Sequence, residues 1–222
     1  MAAAIKLVPL IFIAYLAVTR QLRAAATAAV GFAVLTLGAA AVNPSASWAY
    51  WTRYVNDQSR IGTVTYISNQ SLEGALDRWA HHALSAHVVD LVALVAVVGG
   101  LALGRWAWRR SSSVLAVLVV ADTGLLASPI TWCHHMVWIA PVLVWLCWGA
   151  DRPAGGRWWA LATATLFYVA PMWRIAHGPR FDIAESRWAW VAGSSFTLAG
   201  AAFLVAVAAM LWRRSKLARV AS

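Results

Sequence analysis

Seven long stretches of low charge constrain this chain more than any other feature of its sequence. Each is close to the roughly 17–25 residues that cross a bilayer core as one helix. The stretch at 113–127 is marginal in length until residues 128–130 are added to it. The sequence therefore predicts an all-α polytopic membrane protein, with about seven transmembrane helices in a single membrane domain over residues 1–222. The approximate bounds of the stretches are 2–18, 24–42, 88–104, 113–127, 132–149, 158–173 and 191–212.

The composition excludes other classes of protein that a chain of 222 residues could belong to. Hydrophobic residues make up 62% of the chain and charged residues only 12%. That balance is too apolar for a disordered chain or for the surface of a soluble domain. The two cysteines, Cys133 and Cys147, lie at opposite ends of one stretch. A helix would hold them roughly 21 Å apart, which is too far for a disulfide.

The connections between the stretches differ in charge according to the side of the membrane that each should occupy. One set contains 11 basic residues and a single acidic residue, Asp151, whereas the other has seven basic and five acidic residues. Basic connections stay in the cytoplasm, so 213–222 is predicted to be a basic cytoplasmic tail and 43–87 a long outer loop. Nucleic-acid binding is not expected from the net charge of +10, because no basic cluster lies on a soluble module.

The first part of the outer loop has the pattern of a short helix that lies in the membrane interface. After an Asn-Pro pair that breaks the preceding helix, Trp48, Trp51 and Val55 fall on one face of a predicted helix over 45–56. Indole rings prefer the level of the lipid headgroups. A simple membrane anchor and a contact with substrate both remain open for this segment.

The second part of the outer loop predicts a capped helix that could hold an anion. Asn69 is a suitable N-cap for a helix that begins at Gln70, and Arg78 lies at the end of one face. Glu73 and Asp77 are expected to face water. A helix N-terminus together with an arginine suits a phosphate or polyhydroxyl ligand, and a surface helix with a salt-bridged arginine is the alternative. The apolar face of this helix holds Leu72, Leu76 and Trp79.

A histidine pair follows a Ser-Pro pair near the outer end of a later stretch. Ser128 and Pro129 are typical of an N-cap and the first helical residue. A helix that begins there would place His134 and His135 about one and a half turns inside, with only one of them facing a given cavity. Histidine at this depth can hydrogen-bond a phosphate. The alternative is an interfacial pair satisfied by neighbouring helices.

Two ionisable residues lie inside the apolar stretches themselves. Asp122 belongs to the stretch at 113–127, where a carboxylate needs a partner or a wet cavity. Lys6 lies at the outer end of the first stretch. Its ammonium could neutralise a lipid phosphate or simply extend to the interface.

Three segments carry a resemblance to a known family. They read SASWAYW, YISNQSLEGALDRW and SPITWCHHMVWIAPVLVWL, they occur in this order, and spans separate them. Together they resemble glycosyltransferase family 87, the polyprenyl-phosphate-mannose-dependent mannosyltransferases with the GT-C membrane fold. The opening KLVPLIF is similar to the family's Lys-x-x-Pro span. The resemblance extends to about residue 150.

The resemblance implies transfer of a hexose, in the family mannose, from a polyprenyl-phosphate donor to a glycolipid or glycan acceptor. The reaction is expected at the outer face of a bacterial plasma membrane, with the C-terminus in the cytoplasm. It implies a direct displacement with inversion, in which a carboxylate base deprotonates the acceptor hydroxyl. No cofactor or metal is expected besides the lipid-linked donor. His134 and His135 become the catalytic candidates, and the substrate-binding candidates are Asn69, Gln70, Ser71, Arg78, Ser128, Trp132 and Lys6.

The chain departs from the family pattern at the catalytic carboxylate. In the family this aspartate lies in the first outer loop, near the N-terminus, and none of Asp57, Asp77 and Asp122 occupies the matching position. The expectation is therefore that the chain is a C-terminal portion of a transferase. Such a portion is expected to be inactive alone, either as a truncated gene product or as one half of a split gene. In the second case a separate N-terminal polypeptide would be its partner.

Functions from other classes make different demands on the sequence. A secondary transporter should show a repeat with paired helix breakers at the midplane, whereas the polar residues here collect on one side. A haem-binding subunit should have histidines at matched depth on two helices, and His134 and His135 have no such partner. A transporter and a non-catalytic membrane subunit remain the alternatives to a transferase.

Overall fold

A computed structural model describes residues 7–55, 57, 60–175 and 186–220. Within these residues the chain is helical, and an isolated bridge between Asn69 and Trp132 is its only β-type pairing. Shorter 3-10 helices run at Val8–Leu10, Cys133–Trp138 and Pro171–Arg174, and a π-helical turn runs at Tyr50–Tyr54. The α-helices are α1 (Ile11–Val18), α2 (Leu22–Val42), α3 (Pro44–Ala49), α4 (Leu72–Ala80), α5 (Ala86–Arg110), α6 (Ser113–Ala127), α7 (Ile139–Trp148), α8 (Gly156–Val169), α9 (Arg187–Gly193) and α10 (Ser195–Val220).

The helices confirm the fold class that the apolar stretches predict. Each of the seven stretches contains a helix, and three helices of the described residues are long and apolar enough to cross a membrane, namely α2, α5 and α10. The helical segments Val8–Val18, Ser113–Ala127 and Cys133–Trp148 are apolar but shorter. The described residues therefore form a helical membrane protein, and the count of seven spans stays a prediction. The described part of the predicted basic tail, 213–220, is helical and continuous with α10.

The short helix α6 lies at the centre of the fold. It packs against α1, α5, α7 and α10, and Leu115, Val119 and Val120 on it are fully buried. Because other helices surround α6, most of its apolar residues meet protein rather than lipid. Its 15 residues span only about 22 Å, which explains why this stretch was marginal in length. By contrast, only 6% of the apolar window of α2 and of α5 is buried, so these helices present most of their surface outward.

Two neighbouring glycines on α5 lie in opposite environments and give a matched test of how α5 packs on α6. A Cβ atom added at Gly100 would collide with the side chain of Thr123, whereas one added at Gly99 would meet nothing within 4 Å. Both substitutions to alanine gain up to about 1 kcal/mol of helix propensity. We expect Gly100→Ala to lower stability by about 1–3 kcal/mol through overpacking and Gly99→Ala to leave it equal or raised. Thermal unfolding in detergent measures both, and equal behaviour of the two variants would contradict the close approach.

The connections gather at two opposite ends of the fold. We call the end formed by 19–23, 105–112, 149–155 and 213–220 the basic end, and the end formed by 60–80, 128–138, 170–175 and 186–197 the motif end. At the basic end, the carboxylate of Asp151 accepts hydrogen bonds from Ser111 Oγ and Ser112 Oγ, both at 2.6 Å, and from Trp145 Nε1 at 2.8 Å. Arg214 donates to the backbone oxygen of Asp151 at 2.9 Å. One aspartate thus ties together α6, α7 and α10.

The hydrogen bonds of Asp151 make the stability of the basic end depend on pH. Burial raises the pKa of this carboxyl, but the hydrogen bonds from Ser111, Ser112 and Trp145 outweigh burial and hold the pKa below its ordinary value of 3.8. The resulting stabilisation is present above about pH 4 and is lost as the pH falls through the lowered pKa. We expect Asp151→Asn to cost about 1 kcal/mol at pH 6, because solvent screens this half-buried group. Unfolding measured from pH 6 to pH 3 should show the gap closing, and a gap independent of pH would contradict the prediction.

Candidate active site

The segment that resembles the family's Asn-Gln-Ser motif forms a tight turn followed by α4. Ser71 caps this helix, since its Oγ accepts a hydrogen bond from the backbone N of Gly74 at 3.0 Å. The prediction that Asn69 caps a helix beginning at Gln70 is therefore wrong. Asparagine and serine both cap helices well, and Asn69 does not cap this one because its side chain is hydrogen-bonded to other parts of the fold.

The side of α4 that carries Asp77 and Arg78 faces the protein, whereas on its apolar side Leu72 and Leu76 are half-buried and Trp79 is exposed. Asp77 is 3% exposed and accepts a hydrogen bond from the backbone N of Leu84 at 2.9 Å, so the expectation that it faces water is wrong. Arg78 is fully buried, whereas Trp79 is 52% exposed. At a membrane interface an apolar side chain loses little by facing outward, and the polar side finds its hydrogen-bond partners inside.

Asn69 joins three segments at the motif end and uses all of its hydrogen-bonding capacity to do so. Its Nδ2 donates to the backbone oxygens of Val64 at 2.8 Å and Pro129 at 3.1 Å. Its Oδ1 accepts from the backbone N of Thr131 at 2.8 Å and of Ser71 at 3.2 Å. An amide has two donors and one oxygen with two lone pairs, so the side chain is fully satisfied. These hydrogen bonds hold the loop after α6 against the outer-loop turn.

Gln70 makes the corresponding connection to the last helix. Its Nε2 donates to the backbone oxygens of Ile67 at 2.8 Å and Gly193 at 2.7 Å. Its Oε1 accepts from the backbone N of Phe196 at 3.0 Å and of Thr197 at 3.2 Å. These two N–H groups belong to the first turn of α10, which has no partner for them within the helix. Gln70 therefore caps α10 from a distant part of the chain.

Arg78 hydrogen-bonds both the turn before α4 and the residue that precedes α10. Its guanidinium donates to the backbone oxygens of Tyr66 at 3.3 Å and Asn69 at 2.9 Å, and to Ser194 Oγ at 3.1 Å. The structure places Asn69, Gln70, Ser71 and Arg78 at 0% exposure. The described contacts of all four are with protein, and their predicted role as substrate contacts stays a prediction.

The loop after α6 is extended, where the sequence predicts the start of a helix. Ser128 follows the last residue of α6 in the extended region, with φ −67° and ψ 136°, and donates to the backbone oxygen of Ile130 at 3.1 Å. The prediction that Ser128 and Pro129 open a helix is wrong, and the next helical turn begins at Cys133. A residue before proline is disfavoured in the helical region, so the Ser-Pro pair already pointed to a helix end.

The histidine pair lies on the 3-10 turn Cys133–Trp138, and the two rings differ in their surroundings. The ring centroids are 4.4 Å apart. His134 is exposed. His135 is half-buried, and its Nδ1 accepts a hydrogen bond from the backbone N of Trp132 at 3.0 Å. In a neutral imidazole the proton is then on Nε2, so His135 is held as a hydrogen-bond donor in a fixed orientation.

Thr131 is a residue of this site that the sequence reasoning missed. It is fully buried, its Oγ1 donates to the backbone oxygen of Leu125 at 2.7 Å, and its backbone oxygen accepts from Gln70 N at 2.7 Å. Together with the contact from Asn69, these bonds hold the loop extended. Its position inside the third motif segment was the signal in the sequence that could have identified it as a site residue.

Asp122 lines a cavity between α6, α7, α8 and α10. The cavity has a volume of about 430 Å³ and an otherwise largely apolar lining. Gly200 leaves room for the carboxyl, since a Cβ atom there would lie 2.7 Å from Asp122 Oδ1. Within the described part of the chain, Asp122 Oδ2 is buried without a hydrogen-bond partner. Met136 and Trp138, which follow the histidine pair, form part of the same wall.

Three other residues that the sequence singled out lie away from this site or outside the described residues. Lys6 lies outside the described residues. Trp48 and Trp51 are 73% and 41% exposed on α3 and the π-helical turn after it, which confirms a short helical segment with outward-facing indoles. Among the residues that the structure describes, no three histidine, cysteine, aspartate or glutamate side chains are grouped closely enough to hold a metal ion.

Comparison with known proteins decides the family. The family model described as glycosyltransferase family 87 matches residues 1–129, more than half of the chain. The chain belongs to glycosyltransferase family 87. The third motif segment of this family 87 chain extends beyond residue 129, where the match to the family model ends. An alignment of 220 residues with one relative covers 95% of the chain and therefore includes most of that segment.

Relatives of this family 87 chain are named for one type of reaction. The chain is 37% identical over 155 residues to a polyprenol-phosphate-mannose-dependent alpha-(1-2)-phosphatidylinositol mannoside mannosyltransferase of Mycolicibacterium smegmatis, covering 65% of the chain and 34% of the relative. It is 38% identical over 159 residues to a pentamannoside mannosyltransferase of Mycobacterium tuberculosis, covering 70% and 36%. The 220-residue match, to a pentamannoside mannosyltransferase of Mycolicibacterium smegmatis, is 31% identical and covers 51% of that relative. The chain thus spans about a third to a half of their length, and no solved structure matches it significantly.

Proposed function

We propose that the chain forms the donor-binding part of a polyprenyl-phosphate-mannose-dependent mannosyltransferase. One observation carries the proposal: Asn69 binds Pro129 and Thr131, so the two most specific motif segments form one unit beside His135. The relatives' names support the lipid-linked donor. They also support a phosphatidylinositol mannoside as the acceptor, within the wider class of glycolipids and glycans.

The proposed role of His135 is to stabilise the leaving group. In a displacement with inversion, the acceptor oxygen bonds to the anomeric carbon of mannose while the bond from that carbon to the phosphate oxygen breaks. Negative charge grows on the polyprenyl phosphate as the bond breaks. The Nε2 proton of His135 is directed by the hydrogen bond at Nδ1 and can bind that phosphate. Asn69, Gln70, Ser71 and Arg78 act as positioning residues that hold the turn carrying His135.

A carboxylate base is proposed to come from a residue other than Asp77 and Asp122. Asp77 lies on the buried side of α4, where it accepts a hydrogen bond from the backbone N of Leu84. Asp122 lies among the helices, in the wall of the 430 Å³ cavity. Neither carboxylate lies on the turn that carries the histidines. Residues 1–222 alone are accordingly expected to bind the donor without transferring mannose, with the base supplied from outside these residues.

The motif end is proposed to face the outside of a bacterial plasma membrane, with the C-terminus in the cytoplasm. The separation of the basic end from the motif end supports this orientation, because basic connections are retained in the cytoplasm. The donor and acceptor would then meet at the outer lipid surface.

The test is binding and transfer measured on the same preparation in lipid nanodiscs. Radiolabelled polyprenyl-phosphate mannose should bind saturably to residues 1–222, and unlabelled polyprenyl phosphate should compete. Absence of saturable binding would contradict the proposed function. Mannose transfer to a phosphatidylinositol mannoside by residues 1–222 alone would contradict only the statement that the base comes from elsewhere.

A further inference from the structure

Three aromatic rings lie side by side at the motif end, next to the turn that carries the histidines. The centroids of Tyr66 and Trp132 are 5.9 Å apart, and those of Tyr66 and Trp173 are 6.4 Å apart, with interplanar angles of 71° and 63°. Trp173 is 40% exposed, and the other two rings are half-buried. The three residues come from the outer-loop turn, the loop after α6 and the segment after α8. We refer to them as the aromatic platform.

The aromatic platform lies next to a buried apolar cluster that fixes its position. Ile67, Met136 and Met172 are at most 5% exposed and form one apolar cluster with Phe196, against which Tyr66 packs. Each ring-bearing residue is next to, or within a few positions of, a member of this cluster along the chain. The three rings are therefore carried by backbone that the core holds in place.

Backbone contacts hold two of the platform residues in defined positions. The backbone oxygen of Tyr66 accepts from Arg78 at 3.3 Å and from the backbone N of Asn69 at 2.7 Å. Trp132 is hydrogen-bonded to His135 through both its backbone N and its backbone O. Preformed rings lose little conformational freedom when a ligand binds.

Gly62 shows that the platform is also closely fitted at its edge. Its φ is +142°, a conformation open to glycine but rarely to other residues. A Cβ atom there would lie 3.1 Å from Cζ2 and Cη2 of Trp132. The backbone thus lies directly against the indole, and any larger residue at this position would displace the ring.

From this arrangement we infer that Tyr66, Trp132 and Trp173 form a subsite for an uncharged pyranose of a glycan. The C–H groups of a sugar face pack against an aromatic ring, and the sugar hydroxyls bind polar groups at the rim. The inference rests on the proposed function in that it assigns this subsite to the sugar acceptor, next to the phosphate that His135 would bind. Membrane-interface tryptophans are the alternative, but the rings here contact one another and the motif turn.

The experiment measures binding of a soluble α-mannotriose, which has neither lipid nor phosphate, to residues 1–222 in nanodiscs by saturation-transfer NMR titration. Trp173→Ala should weaken the Kd at least about fivefold, and Trp173→Phe should stay within about twofold of the wild type. Trp188→Ala is the matched control, since Trp188 is 83% exposed on α9 at the same end, and it should leave the Kd unchanged. Binding of polyprenyl-phosphate mannose is measured in parallel and should be unaffected by all three variants.

The two parallel measurements separate this inference from the proposed function. If the donor binds but the mannotriose does not, or if Trp173→Ala binds the mannotriose like Trp188→Ala, the subsite is overturned and the rings are interface anchors. If the mannotriose binds in a Trp173-dependent way but the donor does not bind, the glycan subsite stands and the proposed transferase function fails. Failure of Trp173→Phe to retain binding while its unfolding temperature is normal would also overturn the stacking role.

Discussion

Replacement of Asn69 by alanine should be among the most damaging single substitutions in this protein. The change leaves the backbone oxygen of Val64 and the backbone N–H groups of Ser71 and Thr131 without the partner that Asn69 provides. The backbone oxygen of Pro129 loses one of two hydrogen bonds and keeps the one from Ser71 Oγ at 3.0 Å. A buried polar group that loses its partner costs roughly 1–3 kcal/mol. Since the three costs are not independent, we expect a total loss of about 4 kcal/mol in the free energy of unfolding, measured by chemical unfolding in detergent.

A second asparagine provides the control for this substitution. Asn43 caps α3, and its side chain accepts from the backbone N of Ala46 at 3.0 Å, but the residue is exposed. Asn43→Ala should therefore cost about 1 kcal/mol or less. Limited trypsin digestion adds a local readout, because loosening the turn in Asn69→Ala should open the buried bond after Arg78 to cleavage. Equal losses in the two alanine variants, with no new cleavage after Arg78, would show that Asn69 does not hold the motif end together.

Substitution of His135 should have the largest effect on binding of the donor. A hydrogen bond to a charged group contributes about 1.5–3 kcal/mol, which corresponds to roughly a 10- to 100-fold change in Kd. We expect His135→Ala to weaken binding of polyprenyl-phosphate mannose by that factor. His135→Asn can still accept from the backbone N of Trp132 but lacks the Nε2 donor, so it should keep the stability of the wild type and lose the affinity.

Other histidines test whether this effect is specific. His134 is exposed on the same turn, and His82 is exposed beyond α4. His134→Ala should weaken donor binding by no more than a few-fold, and His82→Ala should not change it. If His134→Ala lowers the affinity as much as His135→Ala, the preference for His135 is wrong. If His135→Asn loses stability along with affinity, the residue acts by holding the turn.

Much of the fold follows from the sequence because length and charge are enough to define it. Apolar runs near membrane length must become helices, since only helices and closed barrels satisfy the backbone inside a bilayer. The placement of basic residues predicts which connections share an end, and the structure brings Ser111, Asp151 and Arg214 together at one end. The motif residues 69–71 and 128–135 were also identifiable, because polar residues are rare in such a chain.

The local structure of the site was less predictable, and each error has a physical cause. Asn69 and Ser71 are both good caps, and the choice between them depended on Pro129 and Thr131, some 60 residues away in sequence. The burial of Asp77 and Arg78 could not be inferred from the pattern of α4. In a soluble protein an apolar face points to the core, but near a lipid bilayer it can point either way.

The sequence by itself determined that this is a helical membrane protein of glycosyltransferase family 87 with its polar motifs on one side. Runs of apolar residues and the order of motif segments need no tertiary information to be recognised. Only the tertiary structure decided what the motif residues touch, because a buried amide or guanidinium binds the groups that lie next to it in space. It placed Asn69, Gln70 and Arg78 inside the motif end as a buried, hydrogen-bonded support. It also brought Tyr66, Trp132 and Trp173 from three separate segments to one surface.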